Sequence, residues 1–187
     1  HTISRRQRQM CIRDRVIAYM DNGNSNYGTA IVGTVSGTSI SFGSPVVFES
    51  AQTQEISAVY DPTNDKVVIA YSDYGNTQKG TAIVGTVSGT SISFGSPVVF
   101  QSSLTNAISS IYDSTNNKVV LAYNDQNNSY YGKAVVGTVS GTSISFGSVV
   151  TFESAHSDYF SLVYNSTNQK VVIAYRDVDN SNYGTAI

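Results

Sequence analysis

Short apolar runs separated by polar turns recur along this chain of 187 residues. Residues 66–71 and 81–87 place apolar side chains on both faces of an extended chain, which is typical of buried strands. In residues 91–94 serine alternates with isoleucine and phenylalanine, and this period of two also predicts a strand. Pro97 lacks a backbone donor, so the strand that follows it is predicted to lie at a sheet edge or a bulge.

Turn signals lie between these runs. Residues 61–65 read DPTND, with aspartate and proline at the first two positions, as tight turns favour. Residues 88–90, SGT, mark a second turn, and a polar loop spans residues 73–80. With residues 56–60 as the first strand, the pattern predicts four antiparallel strands. The predicted fold class is therefore all-β, and the abundance of Val, Ile, Thr, Ser and Tyr agrees with it.

The whole pattern repeats with a period of 52 residues. Residues 29–48 and 81–100 are identical, and residues 133–152 differ from them at four positions. Three sets of residues recur with this spacing: Tyr19, Tyr71, Tyr123 and Tyr175; Gly33, Gly85 and Gly137; Phe42, Phe94 and Phe146. The chain is therefore a tandem array of one four-stranded unit.

Four antiparallel strands in about 50 residues, repeated head to tail, resemble the blades of a β-propeller. The resemblance implies blades at residues 56–100 and 108–152, and partial blades at residues 16–48 and 160–187. It rests on pattern alone, since Trp-Asp dipeptides and the double glycine of kelch repeats are absent. We predict a β-propeller fragment of a little over three repeats. An elongated β-solenoid and a β-sandwich of duplicated hairpins are the alternatives.

A propeller closes with about four to eight blades, which is more than this array supplies. The remaining blades are expected either elsewhere in the same longer chain or in oligomeric partners.

Residues 1–15 differ from the array in composition and carry five of the eleven basic residues. A basic arm and a disordered terminus are two interpretations. The third is that residues 4–15, SRRQRQMCIRDR, resemble translated read-through of a sequencing adapter, and on this basis we expect residues 1–15 to be non-native. Cys11, the only cysteine, lies there, so no disulfide or cysteine-based metal site is expected in the array.

The charge of residues 16–187 disfavours nucleic-acid binding. These residues hold six basic and twelve acidic side chains, and a net negative charge repels phosphate backbones. No stretch approaches the length of about 18 apolar residues that a membrane-spanning helix needs. Membrane insertion is therefore not expected.

Differences between the copies gather in two segments of the unit. One precedes each new blade, at residues 49–55, 101–107 and 153–159; the other is the loop between the second and third strands, such as residues 73–80. Because a meander reverses at each turn, both variable segments are expected on one side and the nearly invariant turns on the other. Loops on a rigid scaffold commonly carry function, so the variable side is the predicted ligand-binding face. Drift without selection is the alternative, although drift would have changed both sides.

The variable face offers tyrosines together with amide, carboxylate and imidazole side chains, which suit a polar, planar ligand such as a carbohydrate. The candidate binding residues are Gln52, Gln54, Tyr74, Gln78, Asn106, Gln126, Tyr130, His156, Asp158 and Tyr159. The structural alternative is that surface loops are polar in any case. No cofactor is expected.

Each loop between the second and third strands opens with an aspartate: Asp21, Asp73, Asp125 and Asp177. This frame is faintly similar to the Asp-containing turns of sialidase-like propellers and to the calcium loops of integrin-type propellers. Calcium takes about six to eight oxygen ligands, yet only the fourth loop adds a second carboxylate, Asp179. We therefore predict turns capped by their own aspartate, and no metal site.

The array lacks the motifs of serine hydrolases, zinc peptidases and phosphate-binding loops. Its one histidine, His156, lies in a variable segment. Glu55 and Asp158 occupy equivalent segments of different blades and would suit the carboxylate pair of a glycosidase if they faced each other. Nothing else in the sequence supports that pair, so catalysis is not expected.

Near-identical repeats of this kind resemble those of environmental phage and bacterial surface proteins. The resemblance implies a non-catalytic recognition module of a larger surface or phage tail-type protein, binding a glycan or another cell-surface ligand through several weak sites. It also implies an extracellular or virion-surface location. A propeller glycoside hydrolase or lyase with catalytic residues in further blades, and a purely structural spacer, are the alternatives.

Overall fold

The computed structural model describes residues 14–187, and these residues form an antiparallel all-β structure. Fourteen strands join into one sheet, and the described part of the chain contains no α-helix. The all-β prediction is confirmed. The sheet is open, because its first and last strands do not pair with each other.

The strands follow the repeat, and each strand predicted between residues 56 and 100 is present. In chain order they are β1 (Asp14–Asp21), β2 (Tyr27–Ser36), β3 (Ser39–Phe42), β4 (Val46–Asp61), β5 (Lys66–Asp73), β6 (Lys79–Ser88), β7 (Ser91–Phe94), β8 (Val98–Asp113), β9 (Lys118–Asp125), β10 (Tyr131–Ser140), β11 (Ser143–Phe146), β12 (Val150–Asn165), β13 (Lys170–Asp177) and β14 (Tyr183–Ala186). Short 3₁₀ turns follow β1, β5 and β9 at Asn22–Asn24, Tyr74–Asn76 and Gln126–Asn128.

Backbone pairing divides the strands into four successive groups, here named sheets 1 to 4. Sheet 1 contains β1 to β3 and the first half of β4. Sheet 2 contains the second half of β4, then β5 to β7 and the first half of β8. Sheet 3 continues in the same way from β8 to β12, and sheet 4 contains the second half of β12 with β13 and β14.

The long strands β4, β8 and β12 correct one prediction. The segments at residues 49–55, 101–107 and 153–159 were expected to be loops between blades, but they lie inside strands of 16 residues each. Their backbone stays paired as the strand passes from one sheet to the next; for example, Thr53 N donates to Asn26 O at 3.1 Å. Pairing with neighbouring strands therefore overrides the polar composition of these segments.

The position of Pro97 agrees with the prediction of a sheet edge. One edge of β6 pairs with β5, and the opposite edge pairs first with β8 and then with β7. The outer strand of sheet 2 is thus interrupted at residues 95–97, where Gly95 N still donates to Val84 O at 2.9 Å. Pro97 lies in this interruption, where the sheet requires no backbone N–H donor from it.

The hydrophobic core lies between successive sheets. Sheet 2 contributes Val68, Ala70 and Phe100 to a buried cluster that also contains Leu121 and Tyr123 of sheet 3. The same aromatic contact recurs at each junction, with ring centroids 5.2, 5.1 and 5.5 Å apart in the pairs Phe48–Tyr71, Phe100–Tyr123 and Phe152–Tyr175. Repetition of the apolar pattern therefore produces repetition of one sheet-to-sheet contact.

Strand β1 begins two residues before the expected start of the array. Asp14 and Arg15 pair with Thr34 and Gly33 of β2. The expectations for the rest of the N-terminal segment, including Cys11, fall outside the described residues. No helix long and apolar enough to span a membrane is found in residues 14–187.

Candidate ligand-binding cleft

A cleft of about 410 Å³ opens where three sheets present their variable segments. Sheet 2 contributes Glu55 from β4, sheet 3 contributes Asn106–Ile108 from β8, and β12 contributes His156 and Asp158–Phe160. Asn124 and Tyr130 complete the lining. Five of the ten candidate binding residues therefore meet in one place: Asn106, Tyr130, His156, Asp158 and Tyr159.

A bulge in each long strand forms this part of the surface. Glu55, Ala107 and Tyr159 occupy equivalent positions and have φ angles of 52°, 51° and 52°. The register with the neighbouring strand shifts at each of these points. A bulge re-aims the side chains around it, and a positive φ is unfavourable for residues other than glycine. The three bulges lie side by side, and the residues around them form the wall of the cleft.

Aromatic rings form much of the exposed lining. The rings of Tyr130 and His156 stack with centroids 4.5 Å apart and an interplanar angle of 24°. Tyr159 is 74 % exposed, and the guanidinium carbon of Arg176 lies 4.6 Å from its ring centroid. The arginine contacts the tyrosine ring while much of the ring remains open to solvent. The cleft thus presents flat apolar surfaces next to polar groups.

Both carboxylates of the cleft have partners. The Arg176 guanidinium donates to the two carboxylate oxygens of Asp158 at 2.8 and 2.6 Å. The hydrogen bond to Asp158 raises the pKa of Arg176. Glu55 Oε2 accepts a hydrogen bond from the backbone N–H of Ala107 at 2.9 Å. The first contact lies within sheet 4, the second links sheets 2 and 3, and both hold the lining in place.

Asn124 is a cleft residue that the sequence interpretation missed. Its side chain is 97 % buried at the end of β9, and its Nδ2 donates to Ser157 O at 2.9 Å. Its Oδ1 receives no hydrogen bond from the described residues. A buried acceptor without a donor is unfavourable, and a ligand hydroxyl or N–H would satisfy it.

A signal for this position was present in the sequence. Between an invariant tyrosine and an invariant aspartate, the four copies carry Met20, Ser72, Asn124 and Arg176. A one-residue difference inside a strand is less conspicuous than a variable loop, yet Asn124 lines the cleft and Arg176 supports it.

The other five candidate residues lie outside the cleft: Gln52, Gln54, Tyr74, Gln78 and Gln126. Tyr74 donates its hydroxyl to Gln54 Oε1 at 2.8 Å, so these two side chains interact with each other near the junction of sheets 1 and 2. Gln52 lies opposite Tyr27 in the sheet register. The position of a residue in a variable segment is therefore not sufficient to predict that it lines the cleft.

The aspartates that open the second-to-third-strand loops behave as predicted in three copies. Asp21, Asp73 and Asp177 each accept a backbone hydrogen bond from within their own turn, at 3.0, 3.2 and 3.1 Å. Asp125 makes no such capping bond and instead accepts bonds from Lys133 Nζ and Ser103 Oγ, both at 2.6 Å.

Burial disfavours the charged form of Asp125, but the bonds from Lys133 and Ser103 outweigh it and lower the pKa of the carboxyl. In the described residues, no three His, Cys, Asp or Glu side chains come together as a metal site would require.

A pair of carboxyl groups at the junction of sheets 1 and 2 links stability to pH. Burial raises the pKa of Glu49, with a further contribution from the charge of Asp73, and burial also raises the pKa of Asp73. Between the ordinary and the raised pKa, the folded state binds more protons than the unfolded state, so stability falls as pH rises through this window. The equivalent of Glu49 in the next repeat is Gln101, on β8.

Replacing Glu49 with Gln, the residue at the equivalent position of the next repeat, should stabilise the protein at neutral pH and weaken its loss of stability between mildly acidic and neutral pH. The gain should stay below about 1 kcal/mol, because Glu49 retains contact with water. Urea unfolding at several pH values measures the effect. Asp125→Asn is the opposite control: the pKa of Asp125 is lowered, so this variant should lose stability at neutral pH and lose less on acidification. If the free energy of unfolding of both variants changed with pH in the same way, the opposite pKa shifts assigned to Glu49 and Asp125 would be contradicted.

Comparison with known proteins does not supply a family. No protein-family model matches the chain, and no curated protein is significantly similar to it.

Proposed function

We propose that residues 16–187 are part of a non-catalytic β-propeller module that binds a carbohydrate, or a similarly hydroxylated ligand, in this cleft. The observation that carries the proposal is that variable residues from three sheets meet around exposed aromatic rings and a buried acceptor. Such a combination suits a ligand with both apolar ring faces and hydroxyl donors. The context that we propose is a larger phage tail-type or bacterial surface protein.

Contacts between the long strands support the propeller arrangement. Ser57 Oγ and Ser110 Oγ lie 2.8 Å apart, and Thr63 Oγ1 donates to Asn117 Oδ1 at 2.8 Å. The first contact joins β4 of sheet 2 to β8 of sheet 3, which would be the inner strands of two blades, and the second contact joins the turns that follow these strands. In a propeller the blades surround a central channel, and adjacent inner strands with a ligand cleft at their ends fit that geometry.

Replacing Tyr159 with alanine should weaken glycan binding about tenfold or more, which corresponds to roughly 1.4 kcal/mol. The substitution removes the most exposed ring of the cleft. It should leave the backbone unchanged, because Ala107 already occupies the equivalent position with nearly the same φ. Binding of the whole protein to a glycan array would identify a probe, and calorimetric titration of that glycan would give the affinity.

Tyr183→Ala is the matched control for this experiment. Tyr183 is 63 % exposed and lies outside the cleft, so its loss should leave affinity unchanged. If the two substitutions changed the affinity for the glycan equally, the ligand would bind outside the cleft. Absence of binding to any glycan would remove carbohydrate as the ligand class.

One observation favours glycoside hydrolysis as a second candidate function. Glu55 and Asp158, which the sequence suggested as a carboxylate pair, both line the cleft. Their existing bonds to Ala107 N and Arg176 oppose this role, because both carboxyl groups accept hydrogen bonds in these contacts, whereas a general acid must donate a proton to the leaving group. Chromatography of a bound oligosaccharide after incubation separates the two functions: the binding proposal expects intact sugar, whereas hydrolysis releases shorter products.

A further inference from the structure

We propose that Arg176 is a positioning residue of the cleft, which anchors on Asp158 and holds the ring of Tyr159 in place for the ligand. This role rests on the proposed function, because it requires a ligand that binds against Tyr159. The contacts that carry it lie within sheet 4, and the same positions in sheets 2 and 3 provide the comparison.

The guanidinium group of Arg176 is fixed by two hydrogen bonds to one carboxylate. Its Nε donates to Asp158 Oδ1 at 2.8 Å, and its Nη2 donates to Asp158 Oδ2 at 2.6 Å. The two residues lie opposite each other in the register of β12 and β13. A two-point contact between planar groups fixes orientation as well as distance. The guanidinium group is therefore held in one orientation relative to β12.

The same guanidinium group contacts the ring of Tyr159, with its carbon atom 4.6 Å from the ring centroid. A cation within about 6 Å of a ring centroid is attracted to the ring face. Backbone pairing does not hold Tyr159, because the register of β12 with β13 passes from Asp158 directly to Ser161. A side chain that is fixed before binding loses less conformational freedom when a ligand contacts it. The contact with Arg176 therefore favours binding without requiring Arg176 to touch the ligand.

The corresponding positions of the other sheets support a joint role for these three residues. Each long strand carries a bulge residue, and the residue before it is paired across to the neighbouring strand. The equivalents of Asp158, Arg176 and Tyr159 are Gln54, Ser72 and Glu55 in sheet 2, and Asn106, Asn124 and Ala107 in sheet 3. The ion pair thus occurs in the copy whose bulge residue is aromatic, as expected if the pair serves the ring. An ion pair that only stabilised strand pairing would need no aromatic neighbour.

A double-mutant cycle in affinity for the glycan found on the array tests this role. Arg176→Met introduces the residue that β1 carries at the equivalent position, Met20, and should weaken binding about two- to tenfold. In the Tyr159→Ala background the same substitution should have no further effect, because the ring that Arg176 holds is absent. Independent contributions would multiply instead. An equal further loss in that background would overturn the proposal.

Arg176→Lys tests whether the positive charge contributes to positioning. Lysine can still pair with Asp158 and lie near the ring of Tyr159, but it lacks the planar two-point contact. This variant should therefore bind the glycan more tightly than Arg176→Met and less tightly than the unaltered protein. A lysine variant as weak as the methionine variant would overturn the proposal.

The Nε–H resonance of Arg176 provides a measurement without ligand. Its loss in Arg176→Met assigns it in a proton–nitrogen spectrum of the whole protein. Tyr159→Ala should shift this resonance, because the substitution removes the ring current acting on the guanidinium group. An unchanged resonance would overturn the positioning role.

The affinities separate failure of this proposal from failure of the proposed function. If Tyr159→Ala weakens glycan binding but Arg176→Met does not, the positioning role alone is overturned. If Tyr159→Ala leaves the affinity unchanged, the ligand does not bind against this ring, and both proposals are overturned.

Discussion

Replacing Gly95 with alanine is expected to lower the free energy of unfolding by about 3 kcal/mol. A Cβ atom at this position would lie 1.9 Å from the backbone carbonyl oxygen of Thr142 in the turn between β10 and β11. The obstacle is backbone, so a rotamer change cannot relieve the overlap, and sheets 2 and 3 would have to move apart. Urea unfolding followed by circular dichroism measures the loss.

Gly147→Ala provides the matched control. Gly147 is the next member of the same series, but a Cβ there would meet nothing nearer than Val136 O at 3.8 Å. Neither glycine has a positive φ, so alanine is compatible with both backbones. The control variant should stay within about 0.5 kcal/mol of the unaltered protein. Equal losses for the two variants would show that the sheets do not approach each other as described.

Ile69→Ala should destabilise the protein by about 2 to 5 kcal/mol, the range expected for a large aliphatic residue removed from a close-packed core. Ile69 lies in β5 with no exposed surface, in the cluster between sheets 1 and 2. The loss combines the transfer free energy of the removed carbon atoms with the cost of the cavity. Denaturant unfolding of the purified protein gives the change directly.

Ile17→Ala changes the same residue type at the same place in the repeat. Ile17 is 44 % exposed, so its truncation should cost less than about 1 kcal/mol. The two variants are compared in the same buffer and at the same protein concentration. A large loss from Ile17→Ala, or a negligible one from Ile69→Ala, would contradict the burial described for these strands.

The sequence predicted the repeating strands well because their apolar pattern and turn residues are local signals. The turn at residues 61–65 illustrates this: Asp61 accepts hydrogen bonds from the backbone of Thr63 and Asn64 at 2.9 and 3.1 Å, as an Asp-Pro turn predicts. The difference in burial between Ile17 and Ile69 could not be predicted from the apolar pattern of the sequence. Equivalent residues become buried or exposed according to whether another sheet packs on them.

The cleft was predicted only in part, for two physical reasons. Residues 49–55 contain few apolar side chains, and their strand conformation arises from backbone pairing with strands distant in sequence. The meeting of Asn106 with Asp158 depends on how sheets stack, which a list of variable residues does not specify. Asn124 was missed because it is a one-residue difference within a strand; apart from this position, β5, β9 and β13 differ only at Leu121.

The three long strands restrict how this protein can evolve. A residue inserted into β8 would turn one half of the strand over, reversing which of its side chains face the core in sheet 2 or sheet 3. Substitutions at Asn106, Ala107 or Ile108 carry no such penalty, because they leave the pairing intact. New ligand specificities are therefore expected to arise by exchange of side chains at constant length, and this constraint explains why copies that differ in the cleft still keep a spacing of 52 residues.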